Sequence, residues 1–101
     1  MAKYYIIIMY YVYIITNRIN TVLYVGITND IKRRVYEHKK KLVDGFSKQY
    51  NLDKLVLVEQ VEGVVSAIER EKQLKRWHRE WKINLIKEKN PNMDDLFDLL
   101  G

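Results

Sequence analysis

Two runs rich in β-branched and aromatic side chains, residues 10–16 and 21–27, are separated only by Asn17-Arg18-Ile19-Asn20. Runs of that composition joined by a short polar link read as two paired strands. The pairing constrains everything after it, because strand alternation fixes which side chains share a face. With a symmetric loop Thr16 pairs with Thr21, so Tyr13 stands opposite Tyr24 and Tyr11 opposite Gly26, all on one face. A slip of one residue would part the tyrosines.

The rest of the chain reads as helices and one more strand. Thr28-Asn29-Asp30 is a helix-start cluster, and the helix is expected to run to about Leu42 with Ile31, Val35 and Leu42 as its buried stripe. Asp44-Gly45 ends it, and residues 46–53 read as a polar loop. Residues 54–60 form a third strand, buried on both faces in its middle. Ser66 is the expected N-cap of a helix from Ala67 to about Trp77, with Glu69 as capping-box partner. A second helical stretch covers about 79–89, Asn90-Pro91 stops it, and Asp94 to Leu100 add a last turn or two. Three strands with helices packed around them make a small α/β sandwich. One domain is expected over 1–101, with residues 1–8 an appendage.

The apolar run from Tyr4 to Ile15 is too short to span a bilayer, and its five tyrosines favour strand. No cysteine is present, which removes disulfides and thiolate metal sites and favours a cytoplasmic reading. Eighteen Lys and Arg face thirteen Asp and Glu, and the resulting +5 suits either a polyanionic partner or an ordinary solvated surface. The positive charge is spread over two helices that also carry acids, which disfavours a membrane surface.

Helical periodicity sets the chemistry-bearing residues apart. At about 100° per residue, Arg34 and His38 leave the first helix one turn apart on its sheet-facing rim. On the later helix Ala67, Leu74 and Trp81 mark one side and Ile68 another, with Glu71 between them. A carboxylate there needs a cation or strong donors, and the wheel alone favours an ion pair with Arg34 or Lys75.

Tyr11-Val12-Tyr13-Ile14 followed by Tyr24-Val25-Gly26 resembles the GIY-YIG nuclease signature. The similarity extends through Arg34, eight residues after the glycine, His38 four later, and Glu71 within Ala-x-x-x-Glu-x-x-Leu-Lys. It covers roughly residues 11–91, and Arg-Glu-Lys-Gln-Leu-Lys-Arg-Trp with the later Asn-Pro is similar to the small standalone bacterial branch. The departures are Tyr11 at the first glycine of the name and Ile27, where some members carry Lys.

The resemblance implies a three-stranded antiparallel sheet flanked by helices (α+β) and a metal-dependent DNA endonuclease. One divalent cation, Mg²⁺ or Mn²⁺, would be bound by Glu71 and the substrate phosphate. Tyr24 would help activate water, Arg34 stabilise charge on phosphorus, Tyr13 orient the nucleophile and His38 assist near the leaving group. Asn84 and Asn90 both compete for a late Asn of the site, and Asn90 is the assignment. Gly26 would let a phosphate approach closely, and Lys32, Arg33, Lys39 and Lys40 would contact phosphates of single- or double-stranded DNA. The alternatives are a nucleic-acid-binding module with weak or partner-dependent cleavage, and a protein-interaction domain using the apolar Tyr4–Ile8 edge, also a candidate homodimer contact.

Overall fold

The Asn17 side chain decides the hairpin. Its Oδ1 accepts from the backbone N–H of Thr21 at 2.8 Å and of Val22 at 3.2 Å, while Thr16 Oγ1 donates to the Val22 carbonyl at 2.7 Å. Those groups are therefore lost to the ladder, and the second strand begins only at Leu23. In the computed structural model, which describes residues 7–101, β1 is Met9–Thr16 and β2 is Leu23–Thr28. Thr16 pairs with Leu23, Ile15 with Tyr24 and Tyr13 with Gly26. The expected register is thus wrong by two residues. Because the shift is even, Tyr13 and Tyr24 still share a face.

The helix α1 (Ile31–Lys39) starts on Asp30, whose carboxylate accepts from the Arg33 N–H at 3.2 Å. It ends earlier than expected, Lys41 adopts a left-handed φ of 57°, and Leu42 is exposed rather than buried. The expected polar loop contains a short helix α2 (Phe46–Gln49), anchored by buried Ser47 and Leu52. β3 is Lys54–Glu62, and the sheet order is β2-β1-β3, antiparallel throughout. α3 (Val64–Arg76) begins on Gly63, at φ 79°, so Ser66 lies inside the helix and is not its cap. α4 is Arg79–Lys89, and a 3-10 turn closes the chain at Phe97–Leu100. Trp81 belongs to α4 and is largely exposed, contrary to its expected place beside Ala67 and Leu74.

Alternation on β1 divides the core. Val12 and Ile14 face one side, with Val25, Ala67, Leu74 and Ile86; Tyr13 and Ile15 face the other, with Ile31, Val35, Leu52 and Leu55. The ladder between β1 and β3 shifts at Val56, and Val56 and Leu57 both join the α3 side. The chain after α4 covers β3: Leu96 N–H donates to Leu55 O at 2.8 Å, and Leu55 N–H to Asp95 Oδ1 at 3.2 Å. Among the described residues no helix is long and apolar enough to cross a membrane. The apolar edge at Tyr4–Ile8 lies mostly outside the described residues; Ile7 and Ile8, which are described, are exposed.

Candidate active site

Tyr13 sits at the centre of the α1 side, 1% exposed, directly across from Gly26. A Cβ on Gly26 would run into Cζ and Oη of the Tyr13 ring and lie 2.8 Å from Cε1. The glycine therefore makes room for a tyrosine, and the space above it is filled by that ring. The expectation that a phosphate approaches Gly26 itself is corrected on this ground.

The ring is held at its far end. Tyr13 Oη and His38 Nε2 are 3.0 Å apart, and His38 Nδ1 and Ser47 Oγ are 2.9 Å apart. The three side chains form one buried hydroxyl–imidazole–phenol chain. Two proton arrangements satisfy it, because a neutral imidazole donates from one nitrogen and accepts at the other. His38 is kept neutral: burial pushes its pKa down to about 4, the nearby Arg34 guanidinium adds to the drop, and Glu37 opposes it. Burial likewise pushes the Tyr13 phenol up to about 12, against the pull of Arg34 and with Tyr24 and Glu71 adding to the rise. Tyr13 is thus a neutral hydrogen-bonding group at working pH.

Arg34 is one turn before His38; its Nη1 lies 3.5 Å from Glu37 Oε1, and its charge acts on the nearby Tyr13 phenol. Partial burial works against its charge, but those two partners more than offset this and raise its pKa. Tyr24 packs edge-on to His38, with ring centroids 6.0 Å apart. Glu71 arrives from the opposite face of the sheet on α3 and bears electrostatically on Tyr13. Because β2 is an edge strand, groups from both faces can meet around it. The Glu71 carboxylate is mostly buried and pairs with Lys75 Nζ at 3.1 Å, one of the two partners the helical wheel favoured.

Tyr13, Tyr24, Arg34 and His38 are therefore gathered, Glu71 adjoins them through Lys75, which lines one cleft with Tyr24, and Asn90 is not among them. Asn90 Nδ2 donates to Val56 O at 3.1 Å and Asp94 O at 2.9 Å, and its Oδ1 accepts from Asp94 N–H at 3.0 Å. Its amide fastens the end of α4 to β3, across β1 from β2, and the residue is structural there. Of the expected phosphate contacts, Lys39 is tied to the Asp95 carboxylate and, at 2.8 Å, to Asp53 O. Lys32 donates to Gly101 O at 2.6 Å, Arg33 lies 3.9 Å from Asp30, and Lys40 lies over the Tyr36 ring. Lys32, Arg33 and Lys40 are exposed. Sequence reading missed Ser47 and Phe46, since a four-residue polar helix leaves too little periodicity to register; Ser47 was visible only as a hydroxyl nine residues after His38.

The donor set suits one hard cation. Both His38 nitrogens are engaged, among the described residues no three His, Cys, Asp or Glu side chains cluster, and the available donors are carboxylate and phenol oxygens. An ion held by Glu71 would complete its shell with water and phosphate oxygens.

The GIY-YIG catalytic domain model matches residues 9–84, most of the chain and every gathered side chain. The chain belongs to the GIY-YIG family. A solution NMR structure of a UPF0213 protein from Bacillus halodurans shares the fold: 23% identity, TM-score 0.55, covering 91% of this chain and 97% of that one. No curated protein matches the sequence. The GIY-YIG frame accounts for the α+β architecture seen here, a three-stranded antiparallel sheet between helices.

Proposed function

We propose that this GIY-YIG protein is an endonuclease that hydrolyses DNA phosphodiester bonds with one divalent cation, Mg²⁺ or Mn²⁺, on Glu71. The observation that carries the reading is the grouping of Arg34, Tyr24 and the His38-bound phenol of Tyr13 beside the β2 edge, with the Glu71–Lys75 pair on the cleft that Tyr24 lines. The cation would supply a polarised water and neutralise charge on phosphate oxygens. Arg34, permanently charged and braced by Glu37, stabilises the negative charge that builds on phosphorus as water attacks and the bond to the leaving oxygen breaks. Tyr13 donates or accepts a hydrogen bond in a direction set by His38 and Ser47. Tyr24, half-buried beside them, hydrogen-bonds the attacking water. Neutral His38 orients Tyr13 and does not deliver a proton as imidazolium. Lys32, Arg33 and Lys40 contact flanking phosphates, which makes binding strongly salt-dependent.

One observation favours a second reading. Glu71 is already compensated by Lys75, as a purely structural ion pair would be, and a protein built that way would bind nucleic acid without cutting it. Labelled DNA incubated with Mg²⁺ or Mn²⁺ separates the two. The endonuclease reading requires cleavage by the native protein, its loss in Glu71→Ala and Arg34→Ala, and retained binding by Glu71→Ala. Binding with no cleavage under either metal would establish the module instead.

A further inference from the structure

We propose that Phe46, Tyr50 and Lys82 build a subsite for an unstacked nucleobase and its phosphate beside the candidate active site. The DNA cut would then be single-stranded or locally unpaired. The inference rests on the endonuclease reading and names its substrate class.

Two aromatic side chains stand where burial would be expected. Phe46 is 47% exposed and Tyr50 42% exposed, and neither joins either core cluster. They pack on each other, with centroids 4.6 Å apart, across one turn of α2. Phe46 also continues inward to Tyr24, at 6.3 Å with planes 27° apart. The result is an aromatic line from solvent to a residue of the catalytic group. It is fixed to that group from beneath, because Ser47, between the two rings in sequence, bonds to His38. A rigid platform of this kind loses little entropy on receiving a base, and every base offers a π-face to stack on it. Paired bases inside a duplex have those faces covered.

Charge at the same place fits the rest of a nucleotide. A cleft of about 320 Å³ opens between Phe46 and the β2 edge, lined by Leu23, Tyr24, Val25, Lys75 and Lys82. Lys75 is committed to Glu71, whereas Lys82 has no acidic partner among the described residues. Partial burial and neighbouring Arg79 push the Lys82 pKa down, so an arriving phosphate would relieve an uncompensated cation. Base face and phosphate cation thus line one cleft with Tyr24 of the proposed hydrolytic group.

Binding measured in EDTA keeps cleavage out of the test. Fluorescence anisotropy would use a short labelled oligothymidylate and a hairpin duplex of equal length. The native protein is expected to favour the single strand by about tenfold or more, and Phe46→Ala to weaken that binding by about 5- to 100-fold while leaving the duplex unchanged. Phe46→Trp, which keeps a stacking face and the apolar volume, should restore it; Lys82→Ala should lower the salt slope by about one. Equal single-strand affinity in Phe46→Ala, or equal or tighter native binding to duplex, overturns the proposal. If these binding results hold but Mg²⁺ and Mn²⁺ give no cleavage, the endonuclease reading fails and the base subsite stands. If duplex is cut and Phe46→Ala cuts it equally well, the reverse is true.

Discussion

Gly26→Ala gives opposite answers depending on what Gly26 is for. A strand glycine with open space above it is stabilised by alanine by about 0.5–1 kcal/mol, through lower chain entropy. Here the added carbon would overlap the Tyr13 ring, which cannot swing away because it is buried and bonded to His38. Overpacking costs about 1–3 kcal/mol, and breaking the Tyr13–His38–Ser47 chain leaves buried polar groups unsatisfied for about another 1–3. The expected loss is about 2–6 kcal/mol, large against the 5–15 kcal/mol typical of a domain. Urea unfolding followed by circular dichroism measures it directly. A double-mutant cycle sharpens the result: all three nearest atoms belong to Tyr13, so in a Tyr13→Ala background the alanine at 26 should cost almost nothing. A Gly26→Ala protein as stable as the native one, or additive with Tyr13→Ala, would refute the close-approach explanation.

Three further outcomes follow from the same geometry. The folded pKa of His38, about 4, lies below its ordinary 6.5, so the unfolded chain binds more protons between those values. Stability from this group is full above pH 6.5 and is lost as pH falls toward 4, by roughly 3 kcal/mol. Urea midpoints across that window should show the loss in the native protein and a shallower one in His38→Asn; identical slopes would contradict it. Ser47→Ala should cost about 1–3 kcal/mol and reduce cleavage, with Ser47→Thr recovering both, and unchanged cleavage would show that Tyr13 needs no such brace. Asn90→Ala should cost about 2–4 kcal/mol while cleavage per folded molecule stays constant; lost cleavage with intact stability would place Asn90 in the chemistry after all.

Much of this was legible because it depends on parity and period. Strand alternation put Tyr13 and Tyr24 on one face even with the register wrong, and the i, i+4 spacing put Arg34 and His38 together. The register itself was not legible: Asn17 takes two backbone N–H groups through its side chain, a choice that composition does not reveal. The start of α3 was misread because the helix begins on Gly63, three residues before the Ser66 capping signal. The role of Gly26 depends on a ring thirteen residues away in sequence, and that of Ser47 on an imidazole reached only after α2 folds back. Asn90 looked catalytic by resemblance because a buried amide fastening α4 to β3 reads the same in sequence as one facing a substrate.

Glu71 is where the account is most exposed, because its carboxylate is either the metal ligand or only the partner of Lys75. The most direct measurement is the Mg²⁺ and Mn²⁺ dependence of single-strand cleavage by native protein and Glu71→Gln, a change that keeps side-chain shape and removes charge. Metal-dependent cleavage that falls at least about a hundredfold in Glu71→Gln, with strand binding in EDTA preserved, is the expected result. Cleavage that survives the substitution, or needs no divalent cation in either protein, would contradict it.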